Sequence, residues 1–133
     1  MAKEKKRNAV LKETEWTILE ALWEGRRTAA ALAGVMTKKY GWVKNATYTL
    51  LSRMEEKGLI EPAQTGEGKA YVALVEESSM RAQETRSFID KVFSGSARNF
   101  LVSFLGREDF GGELSDEDIE ELREILERRG KGR

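Results

Sequence analysis

Gly41 to Ile60 reads GWVKNATYTLLSRMEEKGLI, and the fold is decided on this stretch. It predicts a helix that starts at Asn45, the expected cap, and stops at Gly58 just after Lys57. On a helical period Thr47, Leu50, Leu51 and Met54 share one face. The opposite face carries Asn45, Ala46, Tyr48, Thr49, Ser52 and Arg53, a set of short polar groups with one aromatic and one cation. Taken alone, such a face is more simply a solvated helix surface. Its charge pattern argues otherwise. From Thr28 to Met54 the chain holds Lys38, Lys39, Lys44 and Arg53 and no Asp or Glu, although it has 23 acidic residues in all.

Two helices are expected before this one. The first runs from about Lys12 to Trp23, with Thr14 as its cap and Glu13 and Glu15 at its positive end. Trp16, Leu19 and Trp23, with Ile18 and Leu22 beside them, form a wide apolar face that ends at Gly25. The second starts at the cap Thr28, passes Ala29, Leu32, Val35 and Met36, and stops after Tyr40 at Gly41. After the decisive helix come two β-like segments, Leu59 to Gln64 and Ala70 to Leu74. Between them Thr65-Gly66-Glu67-Gly68-Lys69 reads as a flexible hairpin tip, and Pro62 points to an edge strand or a bulge.

Helix, helix, helix, hairpin is the plan of a winged helix-turn-helix. The expected fold is mainly α with a small β-hairpin wing and a helical region after it. In that plan the third helix enters the DNA major groove and the wing lies along the backbone. The expected DNA-binding residues are Lys44, Asn45, Ala46, Tyr48, Thr49, Ser52, Arg53 and Lys69, with Lys38 and Lys39 flanking the groove. Amides and guanidinium groups read base edges, while hydroxyls and lysines suit phosphate oxygens. Arg53 has two options, a phosphate or Glu56 on its own helix.

The wider composition bounds the rest. The 133 residues include 23 Lys/Arg and 23 Asp/Glu, for a net charge of zero. Residues 1–75 hold 13 basic and 9 acidic groups, and residues 76–133 hold 10 and 14, so a basic half precedes an acidic one. Division into a DNA-binding domain, 1–75, and a helical dimerisation domain, 76–133, is expected. With no Cys and no His, thiol and imidazole catalysis and nearly every zinc, copper or haem site are excluded; no metal or cofactor is expected. Met1 to Asn8 is basic without an apolar core behind it, and no stretch is apolar enough to span a bilayer. A cytoplasmic protein with no membrane insertion is expected.

Residues 76–133 read as three helices, about Glu77 to Phe93, about Ala97 to Leu105, and one beginning at Ser115. The middle one is very apolar. Such seams cannot all be buried within one short segment, and pairing with a second copy buries them isologously. The expected dimer surface is Phe88, Val92, Phe100, Leu101, Phe104, Leu105, Ile119, Leu122 and Leu126. The carboxylates Asp116, Asp118, Glu120 and Glu121 sit at an exposed helix start, where they serve the dipole, and no catalytic motif accompanies them. No enzyme is expected.

Several stretches resemble the penicillinase-repressor (BlaI/MecI/CopY) family of winged-helix regulators. They are Leu11 to Trp23, Gly41 to Ile60, Gly68 to Val72 in the wing, Glu108-Asp109, Leu114-Ser115 and Ile119 to Leu126. The resemblance covers roughly residues 10–128. It implies a homodimeric bacterial repressor on a palindromic double-stranded DNA operator, with the C-terminal helices making the dimer. In the antibiotic-resistance branch it also implies a membrane sensor-protease or a downstream protease as partner, and relief by signal-dependent cleavage. By position the cut bond falls near Ser103–Phe104, where the family has Asn-Phe; the literal Asn99-Phe100 lies one turn earlier. The copper branch senses through C-terminal cysteines, which this chain lacks. Ala46 and Tyr48 stand where antibiotic-branch members tend to carry a Thr and a basic residue, which implies a different operator, with Tyr48 packing on a thymine methyl or bonding a phosphate. Two alternatives remain at this point. One is a PadR-like winged-helix regulator released from DNA by a small molecule. The other is a winged-helix module that binds protein.

Overall fold

A computed structural model describes residues 11–63, 66, 68–107 and 114–131. Among them the order is α1 (Glu13–Glu24), β1 (Arg27–Thr28), α2 (Ala29–Tyr40), α3 (Lys44–Glu56), β2 (Ile60–Ala63), β3 (Ala70–Ala73), α4 (Glu77–Phe93), α5 (Ala97–Leu105) and α6 (Asp116–Lys131). The chain divides into two compact units, Met1–Ser87 and Phe88–Arg133. That division falls inside α4, beyond the 75/76 boundary suggested by composition.

In the first unit α1, α2 and α3 close on one core. Ile18, Leu19, Leu22, Leu32, Met36, Leu50, Leu51 and Met54 join Leu59, Ile60 and Tyr71 from the strands. Each such side chain contributes roughly 1.5–3 kcal/mol when fully buried. The start of α1 differs from the sequence expectation. Lys12, not Thr14, is the N-cap, and Thr14 lies within the first turn. Glu15 decides this, because its Oε1 accepts the Lys12 backbone N–H at 2.9 Å while Oε2 meets Lys57 Nζ at 2.5 Å. Its carboxylate is thus buried but satisfied on both oxygens.

The second helix begins as expected, with Thr28 Oγ1 accepting the Ala31 N–H at 3.1 Å. Gly41 ends it in the left-handed region, at φ 72°, and donates to the Thr37 carbonyl at 2.8 Å. Thr37 Oγ1 then donates to the Trp42 carbonyl at 2.6 Å, which holds the chain as it turns into α3. At the other end of α3, Gly58 at φ 82° turns the chain toward β2.

The three strands form one antiparallel sheet in the order β1-β3-β2. Pro62 lies on β2 at the sheet edge, opposite Tyr71. Two-residue β1 was not legible in the sequence. Arg27 pairs with Tyr71 and Thr28 with Ala70, so the link between α1 and α2 docks on the base of the wing. Gln64, Thr65 and Glu67 of the expected hairpin tip lie outside the described residues, as do Glu108-Asp109 of the family resemblance.

The first half of α4 is fastened to α1. Trp16 and Trp23 meet edge to face with centroids 5.3 Å apart. Trp23 Nε1 donates to the Val75 carbonyl at 2.9 Å, Arg81 lies over the Trp16 ring, and Glu84 Oε1 accepts the Leu11 N–H at 2.8 Å.

In the second unit Phe88, Phe93, Phe100 and Phe104 form an aromatic chain with neighbouring centroids 5.6–6.1 Å apart. Ser96 caps α5. Ser115 and Asp118 cap α6 reciprocally, each side chain accepting the other's backbone N–H at 3.0 Å. Neither α5 nor α6 buries a residue.

Candidate nucleic-acid interface

The face of α3 that enters the core is Thr47, Leu50, Leu51 and Met54, all buried. Burying that face turns its opposite outward. Lys44, Asn45, Tyr48, Thr49, Ser52 and Arg53 are all exposed, and Ala46 is half-buried at the margin. Sequence reasoning therefore assigned the two faces correctly but misplaced the start of the helix. Asn45 is not the cap; Val43 is, without any side-chain bond, and Asn45 sits in the first helical turn. The register follows the buried face, not the capping preference of a single residue.

The polar groups differ in what they have free. Thr49 Oγ1 already donates to the Asn45 carbonyl at 3.0 Å, so it faces outward chiefly as an acceptor. Among the described residues Arg53 forms no ion pair, with Glu56 or otherwise. Lys38 and Lys44 likewise have no carboxylate partner among them. Some cations elsewhere are paired, as in Arg27 with Glu24 and Arg81 with Glu77, each at 2.7 Å. Lys39 is engaged differently from the sequence expectation. Its Nζ donates to Thr17 Oγ1 at 3.2 Å and lies over the Tyr40 ring, while Thr17 Oγ1 is 2.8 Å from the Tyr40 hydroxyl.

At the base of the wing Lys69 is exposed, its Nζ 5.3 Å from the Tyr71 ring centroid. A hydrogen bond with Tyr71, and then the attraction of that phenol, raise the Lys69 pKa above the ordinary lysine value. One exposed residue escaped sequence reasoning. Val43 presents 73% of its surface to solvent at the N-terminus of α3. Only its place as a β-branched residue next to the helix start could have signalled it.

An outward polar face on the third helix, unpaired cations along it and a hairpin beyond it make a surface suited to the major groove. Residues 11–128 match the family model described as the penicillinase repressor. The chain belongs to the penicillinase repressor family. It is 29% identical over 121 residues to the methicillin resistance regulatory protein MecI of Staphylococcus aureus strain N315, covering 90% of this chain and 94% of that protein. It is 26% identical over 113 residues to a penicillinase repressor of Staphylococcus aureus, covering 84% and 86%. Among solved structures, the complex structure of hsRosR-S4 matches with a TM-score of 0.51 at 16% identity, over 99% of this chain and 98% of that one, a likeness of fold. This family member is a winged-helix DNA-binding transcriptional repressor and not an enzyme. The PadR-like and protein-module alternatives give way to that membership.

The remaining expected residues fall in the second unit. Phe88, Val92, Leu101, Phe104, Leu105, Ile119, Leu122 and Leu126 are exposed by 38–57%. Phe100 is half-buried among the other phenylalanines. Both Ser103–Phe104 and Asn99-Phe100 lie inside α5, not in a loop. Among the described residues no helix is long and apolar enough to cross a membrane.

Proposed function

We propose that this repressor acts in the cytoplasm as a homodimer on a palindromic operator, with α3 of each copy in the major groove and Lys69 on the backbone. The observation that carries the reading is the outward face of α3, with Arg53 and Lys44 unpaired among the described residues and no carboxylate between Thr28 and Met54. Two-fold pairing is supported by the second unit. Leu101, Leu105, Leu122, Ile125 and Leu126 line an open apolar groove of about 910 Å³ between α5 and α6, and neither helix buries a side chain. An apolar surface of that kind marks an interface, and a symmetric copy supplies a matching one.

Release by proteolysis near Ser103–Phe104 is part of the proposal. Cleavage favours exposed, extended chain, so a protease would have to unwind α5 first, and cutting there would break the apolar seam between copies. The test of the whole reading is selection from random duplexes by the purified full chain at two salt concentrations. A palindrome with half-sites about one helical turn apart is expected, with affinity falling steeply as salt rises. Recovery of no motif, with weak binding at both salts, would refute operator binding.

A further inference from the structure

Val43 is the most exposed of the large apolar residues among those described, at 73%. It occupies the N-cap of α3, where Ser, Thr, Asp or Asn would accept a backbone N–H, and it makes no such bond. The chain thus forgoes a cap and leaves hydrocarbon in water at the end of the helix that enters the groove. Departures from local preference of this kind concentrate at functional positions. Ala46, in the first turn behind it, adds a half-buried methyl. An isopropyl group cannot bond a phosphate or a polar base edge. Among the groups that base pairs present in the major groove, the thymine C5 methyl is the apolar one. N-terminal residues of a recognition helix are those that reach base edges.

We infer that Val43 is a specificity-determining residue that packs on a thymine methyl in each half-site. The inference rests on the operator-binding reading above and adds to it which base is read and by what contact.

The test replaces thymine by uracil, which differs by that methyl alone, one position at a time in the duplex recovered by selection. With the full chain, one position per half-site is expected to show about fourfold weaker binding, the worth of one buried methyl, and about fifteenfold when both half-sites are changed. Val43→Ser should bind the thymine and uracil duplexes equally. It should also withstand heat as well as the parent or better, because serine restores the cap. A purely structural role for Val43 predicts the reverse on both counts. Sequence-selective binding that ignores uracil everywhere, or a Val43→Ser variant that keeps the full thymine preference, overturns this inference and leaves the repressor reading intact. Absence of any sequence-selective binding overturns both.

Discussion

Lys57→Met isolates the most consequential charge in the first unit. Glu15 has 2% of its side chain exposed, and Lys57, which closes α3, has 32%. Their contact at 2.5 Å therefore ties the end of α3 to α1. Removing Lys57 leaves a buried carboxylate whose one remaining partner in this network is the Lys12 N–H. Breaking a buried pair from one side costs about 3–5 kcal/mol. Because water reaches the lysine end, the lower figure applies, about 3 kcal/mol. In a unit of this size that is a fall in melting temperature of roughly 15 °C. Glu15→Gln should be much milder, about 1 kcal/mol, because the amide oxygen still accepts from Lys12 and Lys57 turns to solvent. The double variant should resemble Glu15→Gln. Urea titrations of the parent and the three variants measure all of this. Equal losses in the two single variants, or a Lys57→Met loss below about 0.5 kcal/mol, would show that Glu15 is hydrated and that the pair behaves as a surface bridge.

Three more perturbations have definite outcomes. Thr47 is fully buried and its hydroxyl finds no partner among the described residues, so Thr47→Val should stabilise by about 1 kcal/mol in the same titrations; a loss of stability would mean that the hydroxyl is satisfied. Arg53→Ala should weaken operator binding by about 10-fold or more with an unchanged melting temperature. Its salt dependence then separates the options, since the slope falls by about one if Arg53 holds a phosphate and stays if it reads a base. Phe104→Asp places a charge on the exposed seam of α5 and should yield monomers in sedimentation; a dimeric variant would put the interface elsewhere.

Helix order and the two faces of α3 were legible because burial periodicity spans several turns and leaves few registers. Gly41 and Gly58 were legible as stops because the left-handed turn they take is disfavoured for other residues. Single-residue cues were weaker. Thr14 and Asn45 are better caps than Lys12 and Val43, yet they do not cap, because Glu15 and the Thr47–Met54 face set where each helix begins. Strand β1 has only two residues and carries no pattern; it exists because β3 offers it an edge. The position of the division within α4 depends on Trp16, Val75, Arg81 and Glu84 meeting across distant parts of the chain, which no local composition shift encodes. The engagement of Lys39 by Thr17 is equally non-local.

The edge-to-face pair Trp16 and Trp23 has an optical consequence. With Trp42 they are all the tryptophans of the chain, and Tyr40, Tyr48 and Tyr71 are all its tyrosines. Every one of the six lies in Met1–Ser87, while the second unit absorbs only through phenylalanine and the peptide bond. Ultraviolet emission from this protein therefore reports on the first unit alone, whereas far-ultraviolet dichroism sums the helices of both. Denaturation curves recorded by the two signals will superimpose only if the halves melt together. Any gap between them reports on the half that has neither tryptophan nor tyrosine.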